Sequence, residues 1–150
     1  MRKVLIIAML IGLITTPVIA RDITTIIVHH SGVDKNQTVE QIRRYHVDVR
    51  GWDDIGYHYV IYRDGSIHKG RPEAIQGAHA FGRNADSIGI CLIGDKIITS
   101  KQTWALRNLI RAIMTRHTIT SIERHHERCP SPAVDVERLQ KELIDNQHKQ

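Results

Sequence analysis

The hydrophobic pattern changes period several times along the 150 residues, and each change predicts an element. Residues 23–29 are dense in Ile, Val and Thr, the composition of a strand with a buried face, and that strand runs straight into His29-His30. Thr38 followed three positions later by Gln41 makes a capping-box pattern. Val39, Ile42 and then Tyr45 or His46 recur at helical spacing, so a short helix is expected that stops before Gly51. Tyr57-His58-Tyr59-Val60-Ile61-Tyr62 is aromatic and β-branched, and Ile67-His68-Lys69 alternates. The Asp64-Gly65 pair between them predicts a hairpin, because glycine accepts the positive φ of a tight turn.

Farther on, Ser87-Ile88-Gly89-Ile90-Cys91-Leu92-Ile93, ended by Gly94, reads as a buried strand. Thr99 and Gln102 repeat the capping-box spacing, and Leu106, Leu109, Ile110 and Ile113 mark a long amphipathic helix that ends near His117 and packs across the sheet. A β-prone stretch at 119–122 leads into a polar loop at 125–132, after which Val136, Leu139 and Leu143 predict a terminal helix capped by Asp135. Strands and helices interleave without the regular rhythm of a doubly wound fold, and one strand pair is antiparallel. The expected class is α/β: a single domain with a mixed central β-sheet flanked by helices. The length suits one domain with a real core and is short for two.

The beginning of the chain stands apart from this pattern. Arg2 and Lys3 precede an almost wholly apolar run at 4–14, followed by Thr15, Thr16, Pro17 and the small-residue ending Val18-Ile19-Ala20. That is the layout of a secretory signal peptide cleaved after Ala20. A bilayer span needs about 20 apolar residues, reached here only by counting the threonines and the proline, so a weak uncleaved anchor is the alternative. Either way residues 21–150 form an exported domain, periplasmic or secreted, whose membrane contact runs only through residues 1–20. Removing that segment lowers the formal charge from +5 to +3. The remaining cations are scattered among acids rather than gathered into a stripe with interleaved aromatics, so nucleic acid is not an expected partner. A mildly basic surface suits an anionic wall polymer, and a monomer is expected.

In an oxidising compartment two cysteines invite a disulfide. The contexts of Cys91, inside an apolar strand, and Cys129, in a polar His-flanked loop, argue against one. Among ten histidines, three clusters stand out: His29-His30 at a strand end, Tyr57-His58 at a strand start, and His125-His126-Glu127-Arg128-Cys129-Pro130 in a loop. Catalytic zinc needs three protein ligands and an open position, and imidazole nitrogen and thiolate sulfur both suit it. One His from a rigid strand with a His and a Cys from a nearby loop meets that need, and His29, His125 and Cys129 fit. Strand alternation lets only one of His29 and His30 face a metal. Residues 125 and 129 meet on one face if their segment turns helically.

Further pieces recur in order: Ile27-Val28-His29-His30-Ser31; Ile42-Arg43-Arg44-Tyr45-His46; Gly51-Trp52 with Asp54-Ile55-Gly56-Tyr57-His58; Arg63-Asp64-Gly65; Gly77-Ala78-His79-Ala80; Ser87-Ile88-Gly89-Ile90-Cys91-Leu92; and His125-His126-Glu127 with Cys129-Pro130-Ser131. Together they resemble the zinc-dependent N-acetylmuramoyl-L-alanine amidase family, which includes small phage lysozyme-type amidases and the peptidoglycan recognition proteins. The resemblance covers residues 23–139.

It implies Zn2+ held by His29, His125 and Cys129, bacterial peptidoglycan as substrate, and hydrolysis of the amide between N-acetylmuramic acid and L-alanine, with Tyr57 donating to the oxyanion. It also exposes a departure. Phage members carry a catalytic lysine in a longer loop before the Cys, whereas here only Glu127-Arg128 separates His126 from Cys129, leaving Arg128 as the nearest cation. His46, His58 and His79 sit within family-like motifs, with His58 the expected support for the metal ligands. Some relatives bind peptidoglycan without cutting it when a ligand is missing; all three are present here, which favours an enzyme over a binding module. A membrane-tethered endolysin of the same chemistry is the remaining alternative.

Overall fold

The computed structural model describes residues 21–145; the expected signal segment at 1–20 lies outside the described residues, as do residues 146–150. Five strands form one mixed sheet in the order β3-β2-β4-β1-β5, with β1 at Thr25–His30, β2 at Tyr59–Ile61, β3 at Ile67–Lys69, β4 at Ser87–Leu92 and β5 at Ser121–Arg124. β1 pairs in parallel with both β4 and β5, β2 pairs in parallel with β4, and β2 and β3 form the antiparallel hairpin. Its turn places Gly65 at φ +87°, as the Asp-Gly pair requires.

Alternation along these strands separates two faces. Ile26, Val28, Tyr59, Ile61, Ile88, Ile90, Leu92 and Ile122 point to one side. There they meet Leu106, Ile110 and Ile113 of α2 (Ser100–Met114) and Val136 and Leu139 of α3 (Val136–Gln140). On the other side, Val60, Cys91 and Ile93 pack beneath Val39 and Ile42 of α1 (Val39–Arg44). α1 widens into a π-helical turn at Tyr45–Val49, which buries His46 and leaves Tyr45 exposed. α3 likewise continues as a π-helical turn at Lys141–Asp145. Among the described residues no helix is long and apolar enough to cross a membrane.

The late strand and the first strand of the hairpin show how pairing sets the bounds of an element. The strand expected at 119–122 forms at Ser121–Arg124, because the parallel register sets Thr25 opposite Ser121 and Val28 opposite Arg124. This edge strand is held by main-chain pairing that its polar side chains do not advertise. The ladder of β2 starts at Tyr59 rather than at 57, although His58 N–H still donates to the Gly89 carbonyl at 2.9 Å.

Both capping boxes form, in different surroundings. At α1 the Thr38–Gln41 pair is exposed. At α2 Gln102 is fully buried: its Oε1 accepts from Thr99 N–H at 3.0 Å, and its Nε2 donates to the Ile61 and Ile93 carbonyls at 3.1 and 2.8 Å. One side chain thus starts the helix and closes the ends of two strands.

Two buried histidines hold loops to the sheet. His46 Nδ1 accepts the Gly56 N–H at 3.0 Å, and His58 Nδ1 accepts the Gly89 N–H at 3.0 Å. His58 Nε2 therefore carries its proton and donates to the Ile75 carbonyl at 3.1 Å. The Arg21 guanidinium nitrogen at 3.2 Å from that Nε2 is a donor facing a donor, so that approach is packing. Burial, followed by the charges of Arg50 and Arg71, lowers His46 to about 4. Burial likewise lowers His58 to about 4.

Because these two imidazoles bind protons more weakly in the folded state than at the ordinary value of 6.5, their neutral forms contribute stability that is complete above that pH and is lost as pH falls towards about 4. In chelator-treated protein, denaturant midpoints should fall steadily from pH 6.5 to 5, a window in which exposed carboxylates are still ionised; a flat profile there would refute the assignment. Gln102→Leu, which strips the Ile93 carbonyl and the Thr99 N–H of their partner, should cost about 2–3 kcal/mol in urea unfolding. Gln41→Leu, at the exposed box, should cost about 1 kcal/mol or less.

Candidate metal centre and active site

The parallel ladder ends three strands at one level. His29 is the penultimate residue of β1 and stands opposite Cys91 of β4, while His125 follows the last residue of β5, its N–H bonded to the Val28 carbonyl at 3.2 Å. His29 and His125 thus share the face opposite the main core, with ring centroids 4.5 Å apart. His30, one residue on, points away and approaches Asp95 at 3.5 Å, as strand alternation requires.

Cys129 reaches the same spot by a tight turn. His126 and Cys129 exchange both main-chain hydrogen bonds at 2.9 Å, a two-residue hairpin with Glu127 and Arg128 at its tip. The approach is achieved by reversal of the chain and not by a helical turn, the condition under which the four-residue spacing would have brought 125 and 129 together. The Cys129 thiol is buried, with Sγ 3.9 Å from His29 Nδ1. Arg128 is exposed, and its N–H donates to His126 Nδ1 at 3.2 Å, which draws His126 towards the turn. Neither cysteine is in a disulfide.

One ligand atom each from His29, His125 and Cys129 lies within 4.8 Å of the others. Zinc bonds of about 2.0–2.1 Å to nitrogen and about 2.3 Å to sulfur at tetrahedral angles separate such atoms by about 3.5 Å, so the 3.9 Å between Sγ and Nδ1 fits a shared metal. The donors suit that role. Burial, reinforced by the imidazoles of His79, His125, His126 and His30, holds His29 well below its ordinary value, and burial followed by the His126 charge lowers His125. Both rings therefore keep a lone pair at neutral pH. Burial raises the Cys129 thiol, which a cation would deprotonate.

Tyr57 is half-buried beside this cluster, its ring centroid 5.1 Å from that of His29 and 5.5 Å from that of His46, with its hydroxyl against the Cys91 thiol. Burial, then the proximity of Cys91 and Cys129, pushes the phenol well above 10, so it remains a proton donor. A groove of about 360 Å3 opens next to it, lined by Ser31, Gln37, Ile42, Tyr45, His46 and Tyr57.

His29 Nε2 contacts His79 Nδ1 at 3.0 Å. The expected support residue, His58, instead binds the main chain of β4, and its ring stands 5.6 Å from that of His79. The overlooked signal was Gly89, a glycine inside an apolar strand, which marks close approach of another group. A Cβ there would lie 2.4 Å from the His79 ring.

Residues 19–132 match the family described as N-acetylmuramoyl-L-alanine amidase. The endolysin of Escherichia phage T7 is 37% identical over 125 residues, covering 75% of this chain and 82% of that protein. Peptidoglycan-recognition protein SC2 of Drosophila melanogaster is 34% identical over 105 residues, covering 63% and 57%. Among solved structures, the N-acetylmuramoyl-L-alanine amidase LysC from Clostridium intestinale superposes with a TM-score of 0.75 at 36% identity, covering 81% of this chain and 85% of that one. A Drosophila PGRP-LB structure in complex with tracheal cytotoxin gives 0.66 at 29% identity, covering 79% of each. With the mixed sheet, the histidine–cysteine cluster and these relatives in agreement, the chain belongs to the N-acetylmuramoyl-L-alanine amidase family.

Proposed function

We propose that this protein is a zinc-dependent amidase that hydrolyses the bond between the lactyl group of N-acetylmuramic acid and L-alanine of the peptidoglycan stem peptide. The observation that carries the reading is the convergence of His29, His125 and Cys129 within 4.8 Å beside a groove walled by Tyr57. The relatives named as endolysin and as amidase support the substrate.

His29, His125 and Cys129 would hold the zinc. When bound, zinc supplies Lewis acidity, which lowers the pKa of water from about 15.7 to about 7 and polarises a carbonyl. Tyr57, protonated at every physiological pH, donates a hydrogen bond to the scissile carbonyl oxygen as it gains negative charge. Ile42 and Tyr45 offer apolar contact to the peptide, and Ser31 and Gln37 offer polar contact. Arg128, exposed at the tip of the turn that delivers Cys129, is the cation next to that ligand in the chain. A guanidinium keeps its proton, so Arg128 stabilises negative charge and does not shuttle protons as a lysine can. Such a substrate lies outside the cytoplasmic membrane, which fits an exported protein acting in the periplasm or beyond.

Purified peptidoglycan treated with protein starting at Arg21 should release stem peptides with a free L-alanine amine, read by mass analysis. A chelator should stop release and added zinc restore it. Binding without cleavage in the presence of zinc would defeat the enzyme and leave a recognition module. His29→Ala should lose both zinc and activity while keeping its circular dichroism spectrum; full activity would exclude this site. Tyr57→Phe should lower kcat on the order of 10²-fold at unchanged zinc content, as expected for loss of one oxyanion donor. A variant within twofold of wild type would remove Tyr57 from the mechanism.

A further inference from the structure

A neutral imidazole carries one lone pair, and the nitrogen that holds it decides whether His29 can bind a metal. His29 turns Nδ1 towards Cys129 Sγ and Nε2 towards His79 Nδ1. Across that 3.0 Å contact the proton can sit on either ring, and only one choice leaves His29 able to ligate through Nδ1.

The far side of His79 selects it. His79 Nε2 lies 3.4 Å from Ser87 Oγ, and the Ser87 hydroxyl is hydrogen-bonded to the Arg83 carbonyl. A carbonyl only accepts, so Ser87 donates to it and keeps a lone pair for the His79 Nε2–H. His79 then has its own lone pair at Nδ1 and accepts the Nε2–H of His29. The lone pair of His29 is left at Nδ1, on the side of Cys129 and His125. In the reverse arrangement His29 Nδ1 would be protonated, and Ser87 would turn away from the Arg83 carbonyl.

We propose that His79 is the positioning residue of the metal centre: a neutral imidazole, anchored through Ser87 to the Arg83 carbonyl, that fixes both the tautomer and the ring plane of His29. The proposal rests on the reading of His29, His125 and Cys129 as ligands. Metal-binding histidines usually donate their second N–H to a carboxylate, a carbonyl or a water. Here the acceptor is another ring, and the chain is built around it.

Gly89 and Gly77 leave room for that ring, since a Cβ would stand 2.4 Å and 2.6 Å from it, respectively. Asn84 Oδ1 accepts the N–H groups of His79 and Ala80 at 2.8 and 2.9 Å, which sets the loop. The Arg21 guanidinium in turn holds the Asn84 and Ser87 carbonyls, both at 2.8 Å. Support is thus provided on the ring and on both segments that carry its partners.

Two measurements test this. Long-range 1H–15N spectra of the metal-free wild-type protein should show His29 protonated at Nε2, and zinc should then shift Nδ1. Zinc affinity, by chelator competition, should be compared in His79→Leu and His79→Asn, with circular dichroism confirming that both fold. Each variant loses the Ser87 contact, but only Asn keeps an acceptor where Nδ1 stood. Leu should weaken binding about 10- to 100-fold, the usual effect of removing such a partner, and Asn should recover most of that loss. A proton on His29 Nδ1 in the metal-free spectrum, or equal affinities for the two variants, overturns the relay. Wild-type protein that binds no zinc overturns the ligand set instead, and with it the role of His79, whatever the tautomer shows.

Discussion

Parallel pairing of β1 with a neighbour on each side is the constraint on which the rest of this molecule depends. Parallel strands bring their carboxyl ends to one edge of the sheet, where ligands gather in open α/β folds. With Thr25 opposite both Ser87 and Ser121, the ladder carries His29 level with Cys91 and delivers His125 one residue beyond the end of β5. A slip of one residue in β1 would turn His30 towards the cluster and drive His29 into the apolar face. Register and chemistry are thus set by the same hydrogen bonds.

The two faces of the sheet divide the labour. Beneath α2 and α3 the side chains are mostly aliphatic, with Tyr59 and the hydrogen-bonded Gln102 among them, and removing that apolar surface from water stabilises the fold. On the opposite face imidazoles replace aliphatic groups, and a buried polar ring is tolerated only when its nitrogens are satisfied. Main-chain N–H groups of Gly56 and Gly89 serve His46 and His58. His29 and His79 serve each other. Keeping these rings neutral makes the face acid-sensitive, and the same neutrality leaves lone pairs free to meet a cation.

The late loop reaches the cluster by a short route. A hairpin of two exposed residues brings Cys129 back against His29 and leaves Arg128 at its tip.

Much of this was legible in the order of residues. Both capping boxes, the Asp64-Gly65 turn, the buried strand ending at Gly94 and the separation of His29 from His30 onto opposite faces follow from local periodicity, because φ preferences and side-chain alternation act over a few neighbouring residues. The motifs around His29, Tyr57 and Cys129 also carried the family. What only the tertiary structure decided are contacts between residues far apart in the chain. The polar edge strand Ser121–Arg124 exists because β1 offers it a ladder, the return of Cys129 depends on that strand's end, and His79 meets His29 across 50 positions because Gly89 clears its path. Local sequence specifies the conformations a segment prefers; the pairing partner that satisfies its main chain, and the space left by a neighbour's missing side chain, appear only when the sheet has closed.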